Sequence, residues 1–431
     1  MFCQLELLRQ CFPPSVRHIL EELPDSLDET YERILREIKK PNQGHAHRLL
    51  QCLVVAVRPL RVEELAEVLA FDFNAGGMPE LNPGWRWEDQ EEAVTSACSS
   101  LVAIVKDGDS RVVQFSHFSV KEFLTVDRLA EPTRDVSRYH IRLEAAHTIL
   151  AQACLGVLLR LDDHVDRDSI KNFPLAQYAA QFWPTHARVE DVSSYIKDGM
   201  ERLFDANKPH FAAWLWIFSE GGVSMFTVRP EKPDAVPLYH AARLGFCNLA
   251  ERLIVEHPGH VNASGGNLGI PTHVAVNANH ANILSLLIEH GADIEGLNGS
   301  GSGFTPLNYA SCWGRHEVGR CLLGRGANIE TRDSEGCTPL MHAIQFNDAE
   351  FARMLLERGP VIDAKDENGC TALHFAVRNG FTQAVQLLLE HGADVNLRDN
   401  SGRTPSELAP LYGHQEIVGL IAAYGAESVK K

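Results

Sequence analysis

Twenty histidines and ten cysteines are the residues of this 431-residue chain best equipped for chemistry, and their spacing decides which chemistry is open to them. His45 and His47 stand one residue apart near a helix start and cannot face the same way. No His-Glu-x-x-His occurs either, so the common helical zinc site is excluded. The cysteines form no Cys-x-x-Cys pair. Many, Cys321 among them, fall at small apolar positions and read as buried reduced thiols. No serine or cysteine stands in a recognisable setting with histidine and carboxylate partners, although a triad scattered along the sequence stays open. The glycine-rich run 296–303 superficially suggests a phosphate loop or a Gly-x-Ser-x-Gly nucleophile turn. Its spacing fits neither and no Gly-Lys-Ser/Thr follows, so it reads as an elongated mobile turn. The expectation is a non-enzymatic chain with no catalytic residue, no metal and no cofactor.

Forty basic against fifty-seven acidic residues leave a formal charge of −17. That balance repels phosphate backbones, and no nucleic-acid partner is expected. No stretch reaches the ~20 apolar residues of a membrane helix, so no membrane insertion is expected. The start Met1-Phe2-Cys3-Gln4-Leu5-Glu6 lacks the basic and apolar regions of a secretory signal, which points to a cytoplasmic protein. A chain of this length exceeds what one core usually organises.

The elements that would position any site follow from an internal repeat. Thr305-Pro306-Leu307-Asn308, Thr338-Pro339-Leu340-Met341, Thr371-Ala372-Leu373-His374 and Thr404-Pro405-Ser406-Glu407 recur at a constant step, and Val236-Pro237-Leu238-Tyr239 and Ile270-Pro271-Thr272-His273 extend the series upstream. Gly291, Gly326, Gly359, Gly392 and Gly425 keep the same beat. Thr-Pro starts a helix, the threonine hydroxyl capping it for ~1 kcal/mol. A leucine run such as Leu387-Leu388-Leu389 is the buried side of a second helix, which glycine ends in a left-handed turn. One such pair cannot bury its own apolar face, so the pairs must stack.

These motifs resemble the ankyrin repeat over about residues 234–431. The resemblance implies a six-unit α-solenoid that binds a protein ligand through its turns and the inner-helix side chains of its groove. The residue before each inner-helix terminator is Leu244, Ala278, Trp313, Phe346, Asn379 or Tyr412, and the one before that is Arg243, Asn277, Cys312, Gln345, Arg378 or Leu411. The candidate groove residues are Arg243, Leu244, Asn277, Trp313, Gln345, Phe346, Arg378, Asn379 and Tyr412. Two readings of the aromatics stand: with Arg378 they form a binding ridge, or they pack between neighbouring inner helices. The motif histidine survives only at His273 and His374, which leaves its usual hydrogen bonds in question elsewhere.

The N-terminal half predicts helices at 25–39, 45–57, after Pro59-Leu60, and at 87–98, then strands at 101–105 and 111–115 joined by an Asp-Gly turn. Helices followed by a hairpin describe a winged helix. The runs Leu23-Pro24-Asp25-Ser26-Leu27-Asp28-Glu29-Thr30-Tyr31, Arg58-Pro59-Leu60-Arg61-Val62-Glu63-Glu64-Leu65-Ala66 and Phe115-Ser116-His117-Phe118-Ser119-Val120-Lys121-Glu122-Phe123-Leu124 look like the lid end and winged helix of fungal NACHT-ankyrin proteins. These belong to the STAND-type NTPases, and a related winged helix is named after GPI inositol-deacylase. The resemblance implies that His117 can latch a nucleotide phosphate. No phosphate-loop motif accompanies it and none is expected upstream, so His117 is a possible vestigial latch, otherwise a helix-start residue. Residues 131–230 read as a helical linker with Pro174 and Pro184 as breakers.

The fold class expected is therefore mainly α. The layout is 1–44 lid-end helices, 45–130 winged helix, 131–230 helical linker and 231–431 ankyrin solenoid, with residues 220–234 as a boundary. The function expected is a protein-binding scaffold that resembles the regulatory half of a NACHT-type protein. The alternative is the C-terminal part of a STAND NTPase whose partner is a nucleotide-binding core outside this chain.

Overall fold

The computed structural model describes residues 27–73, 77–98, 100–131, 135–166, 168–220, 233–299 and 301–428. The proposed lid-end segment before residue 27 and most of the 220–234 boundary lie outside these residues. Contacts divide the chain into two compact units, one ending at Pro233 and one starting at Asp234.

The first unit begins with α1 (Leu27–Glu37) and α2 (Gln43–Val55). A short strand β1 (Leu60–Arg61) then leads into α3 (Val62–Leu69). A two-rung ladder, β2 (Phe71–Asp72) with β3 (Glu80–Leu81), precedes α4 (Gln90–Cys98). The helix expected from Trp87 thus starts three residues later; Asp89 Oδ1 accepts from Glu91 N at 2.9 Å and caps it. β4 (Val102–Asp107) and β5 (Ser110–Phe115) form the wing, and β1 joins β5 to make a three-stranded antiparallel sheet in the order β1-β5-β4. β1 has only two residues and no alternation to read, so nothing local announced it.

After α5 (Ser119–Thr125) come α6 (Leu143–Leu158), α7 (Ala176–Ala187), α8 (Val192–Tyr195), α9 (Lys197–Leu203) and α10 (Pro209–Glu220). Pro184 does not break its helix but lies inside α7. Proline cannot donate to the carbonyl four residues back, and that carbonyl, Ala180 O, instead accepts Trp214 Nε1–H at 3.0 Å. Trp214 is itself buried against Trp183, with ring centroids 5.9 Å apart.

The winged helix and the linker helices share one core, α2 packing on α6 and α6 on α7. Two buried carboxylates tie it. Glu64 takes both Arg58 guanidinium nitrogens, at 2.6 and 2.8 Å, and the Arg61 N–H at 2.8 Å. Glu67 accepts the Leu175 N–H at 2.7 Å from a segment more than a hundred residues away. Burial lifts the Glu67 carboxyl above its ordinary range even though Arg86 opposes it.

The second unit is six helix pairs in succession: α11 (Pro237–Leu244) with α12 (Cys247–Glu256), α13 (Pro271–Asn277) with α14 (Ala281–Glu289), α15 (Pro306–Cys312) with α16 (His316–Gly324), α17 (Pro339–Gln345) with α18 (Ala349–Leu356), α19 (Ala372–Asn379) with α20 (Thr382–Glu390), and α21 (Pro405–Leu411) with α22 (Gln415–Ser428). Each inner helix packs on the next inner helix and each outer helix on the next outer one. Each inner helix is followed by a left-handed residue, Gly245, Asn279, Gly314, Asn347, Gly380 or Gly413, with φ between 56° and 85°. Glycine and asparagine are the residues that tolerate this conformation. Gly291, Gly326, Gly359 and Gly392 also have positive φ, but Gly425 does not end its helix, because α22 runs on to Ser428. In the first unit of the stack a short helical turn, Pro258–Asn262, replaces the glycine.

Seven described cysteines are free, five of them buried; Cys321 is only half-buried, with Sγ 3.2 Å from Ser285 Oγ. Burial pushes the Cys312 and Cys337 thiols up to about 12, which leaves them protonated and inert.

Candidate partner-binding groove

Local caps set the inner helices that carry the candidate side chains. Thr305, Thr338 and Thr404 accept the backbone N–H three residues on, and Glu407 returns the bond to Thr404 N at 2.9 Å. Thr371 departs from this pattern: His374 Nδ1 accepts the Thr371 N–H at 3.1 Å, and the hydroxyl lies 2.9 Å from the same nitrogen.

The motif histidines also couple neighbouring repeats. His273 Nε2 bonds Phe304 O at 3.0 Å, and His374 Nε2 bonds Arg403 O at 3.2 Å. Where histidine is missing the coupling survives in other chemistry: Asn308 Nδ2 reaches Cys337 O at 3.4 Å, and Tyr239 Oη accepts from Leu268 N at 3.3 Å. Met341 makes no such bridge. Burial lowers His273 to about 4, so it is neutral at pH 7 and suits its role as donor to a carbonyl.

The turns between repeats are joined to one another. Ser334 N, Glu367 N and Asn400 N each donate to a carbonyl of the preceding turn, at 2.9 to 3.0 Å. This close approach requires glycine at Gly369, where a Cβ would meet Asn400 Oδ1 at 2.5 Å. A second ladder runs beside the first, in which Glu295, Glu330 and Asp363 accept from Asn328 N, Val361 N and Asp394 N. In the glycine-rich tip, read above as an elongated mobile turn, Asn298 N donates to Phe304 O at 3.0 Å and Asn298 Nδ2 donates to Ser302 Oγ at 2.9 Å.

The candidate residues fall into three groups. Trp313, Phe346 and Tyr412 are 60%, 58% and 45% exposed, so none of the three is packed away between inner helices. Trp313 leans toward Tyr309, ring centroids 6.1 Å apart, and Tyr309 donates to Asn277 Oδ1 at 3.0 Å. Gln345, Arg378 and Tyr412 come together along a cavity of about 400 Å³ between the inner helices and the turns. Arg243 and Asn379 are exposed while Leu244 and Asn277 are half-buried, and none of these four lines that cavity.

Sequence reasoning missed the remainder of the cavity wall, which includes Glu335, Asp366, Phe375 and Arg403. Arg378 lies across the Phe375 ring, its Cζ 5.1 Å from the centroid. The turn aspartates Asp333, Asp366 and Asp399 recur at the repeat step and were a usable signal, since each clamps its own turn. Asp333 Oδ1, for example, accepts from Glu335 N at 2.9 Å and from Cys337 N at 2.8 Å.

His117 lies in the first unit and is exposed. Its Nδ1 accepts the Ser119 N–H at 3.3 Å and sits 2.7 Å from Ser119 Oγ, while Ser119 Oγ is 2.8 Å from Tyr31 Oη. The ring thus stands at the start of α5. The wing cation Arg111 is paired with Glu91. Among the described residues no group of histidine, cysteine and carboxylate side chains could hold a metal, and no helix is long and apolar enough to cross a membrane.

Stacked helix pairs, joined turns and repeat-to-repeat side-chain bonds decide the class of the second unit. It is an ankyrin-repeat solenoid. Two family models described as ankyrin repeats match residues 238–333 with 361–431, and 322–376. A third, described as the GPI inositol-deacylase winged helix domain, matches residues 31–133. The fold is thus mainly α, with a winged helix ahead of the repeats. Among curated proteins the chain is 31% identical to "Azaphilone pigments biosynthesis cluster protein L" of Monascus ruber over 64% of this chain and 61% of that one. It is 31% identical to "Ankyrin repeat and SAM domain-containing protein 6" of Mus musculus over 26% of this chain and 13% of that one, and 38% identical to human "Rabankyrin-5" over 17% and 7%. The chain therefore spans about three fifths of the Monascus protein and a small part of the other two. Among solved structures, the ankyrin repeat domain of Bcl-3 aligns at 29% identity over 45% of this chain and 88% of that one, with a TM-score of 0.43.

Proposed function

We propose that this chain is a non-catalytic cytoplasmic scaffold that captures a protein ligand on the inner-helix side of its ankyrin repeats. The observation that carries the reading is the row of exposed aromatics at one repeat position, Trp313, Phe346 and Tyr412. Large amphipathic side chains held on rigid helices are the composition of binding hot spots. Arg378 and Gln345 extend that surface into the adjoining cavity, and Arg243, Leu244, Asn277 and Asn379 continue it toward the rest of the groove. In this reading residues 1–44 are lid-end helices, 45–130 the winged helix, 131–230 a helical linker and 231–431 the repeat domain. Capture from cell extract by the intact chain tests the reading. Trp313→Ala and Phe346→Ala are expected to reduce capture at least about tenfold. An equal fall in thermal midpoint would instead assign these rings to packing.

A second reading makes the chain the regulatory part of a fungal NACHT-type, STAND-class protein acting with a nucleotide-binding core. The winged-helix match at 31–133 and the exposure of His117 favour it. ADP release from such a core, mixed with this chain, should quicken when His117→Ala is introduced. An unchanged rate removes this reading.

A further inference from the structure

The three turn aspartates are built alike and finished differently. Asp333 Oδ2 accepts His342 Nε2 at 2.8 Å, and Asp399 Oδ2 accepts from Arg403 at 3.3 Å. Asp366 Oδ1 accepts from Asn368 N at 2.9 Å and from Cys370 N at 2.6 Å, but Oδ2 has no partner among the described residues. The cause is one substitution in the repeat: the position that is His342 beside Asp333 is Phe375 beside Asp366, and phenylalanine has no N–H to give. Asp366 is only 9% exposed, and it lines the cavity of about 400 Å³. The Glu335 carboxylate on the same wall, exposed to solvent, has no hydrogen bond or ion pair among the described residues. Arg403 is matched by Asp399, which leaves two open carboxylates against the single guanidinium of Arg378, itself laid over Phe375.

We infer that this cavity receives a lysine or arginine side chain of the protein ligand, with Asp366 Oδ2 and Glu335 as its acceptors and Tyr412 as its apolar wall. Asp366 is mostly buried while its free Oδ2 stays open on the cavity side, and a carboxylate oxygen so placed bonds strongly to a charged donor. The cavity is large enough for one long side chain with its flanking backbone. A cationic occupant also suits a chain of net charge −17, whose field draws basic segments in. The inference rests on the groove reading and adds to it the chemistry of the ligand at one subsite.

The test is selection of a random-peptide phage library on the full-length chain, followed by affinity measurement with the recovered peptides. The recovered peptides are expected to share a lysine or arginine at one position, and its replacement by glutamine should weaken binding at least about tenfold. Asp366→Asn should cause the same loss, because it keeps the Oδ1 contacts and turns the open acceptor into a donor. Asn298 opens an earlier, longer turn with the same kind of backbone bond, Asn298 N to Phe304 O as Asp366 N to Cys370 O, so an asparagine is compatible with such a turn. Phe375→His provides an independent arm: it supplies the internal donor that His342 gives Asp333 and should close the subsite with the same loss of affinity. Recovered peptides that lack a basic residue, bind both variants as well as the wild type, or carry a carboxylate read by Arg378 would overturn the inference. Peptides lost with Trp313→Ala but indifferent to Asp366→Asn and Phe375→His remove it and leave the groove reading in place. A library that yields no binder removes both.

Discussion

The two units of this chain solve the same problem, burying polar backbone and carboxylates in a helical core, by opposite means. The first uses unique knots, such as Glu67 holding Leu175 N across more than a hundred residues and the buried Glu64 holding Arg58. The second reuses short-range devices in most of its units: turn aspartates at 333, 366 and 399, threonine caps on inner helices, and side chains that bond the backbone of the next repeat. The lesson concerns how damage spreads. A broken knot in the first unit has no substitute, whereas a broken rung in the solenoid is felt mainly by its neighbours.

Breaking the strongest knot gives the sharpest contrast. Glu64→Ala should cost the first unit about 3 kcal/mol, because it strands Arg58 and the Arg61 N–H around a void, and urea denaturation would measure the loss. If stability stays within error, the comparison fails at its root.

Acid should weaken the first unit by a similar amount through a single residue. His186 is buried, and burial lowers it to about 3, against roughly 6.5 in the unfolded chain. The unfolded chain therefore takes up the proton first, and stability present above about pH 6.5 is lost progressively as pH falls toward 3. Between pH 7 and pH 4 the loss should be roughly 3 kcal/mol. The neutral ring fits its surroundings: Nε2 lies 2.9 Å from Tyr178 Oη, and Nδ1 lies 2.8 Å from His147 Nδ1. His186→Gln should flatten the pH dependence measured by denaturant titration.

A rung of the solenoid should cost less and stay local. His342→Ala leaves Asp333 Oδ2 without its donor, for about 2 kcal/mol. Hydrogen exchange should quicken around α17 and its adjoining turns while α11 and α12 keep their protection. Exchange rising evenly across all six pairs would contradict the nearest-neighbour description.

The smallest effect is at a cap. Thr404→Ala removes one half of the reciprocal bond with Glu407 and should lower stability by about 1 kcal/mol, read as a shift in thermal midpoint. At Thr371 the same change should cost less, because its hydroxyl lies on His374 Nδ1 and caps no backbone N–H.

What the sequence determined by itself was periodic and local. Thr-Pro starts, glycine or asparagine stops and leucine runs act within a few residues of themselves, so the six pairs and their order could be read directly. The positions of Trp313, Phe346 and Tyr412 could be read as well, because each stands one residue before a left-handed stop. Tertiary structure decided the rest. The β1 strand exists only because β5 is there to pair with it, and Pro184 sits inside α7 only because Trp214 takes the carbonyl it frees. The cavity wall joins Glu335 and Asp366, on two turns, with Arg378 from one inner helix and Tyr412 from the C-terminal end of the next. The repeat step names which residues are equivalent, but whether a turn aspartate's second oxygen finds a donor depends on what stands opposite it in space. At Asp366 that neighbour is the ring of Phe375, and the oxygen is left open.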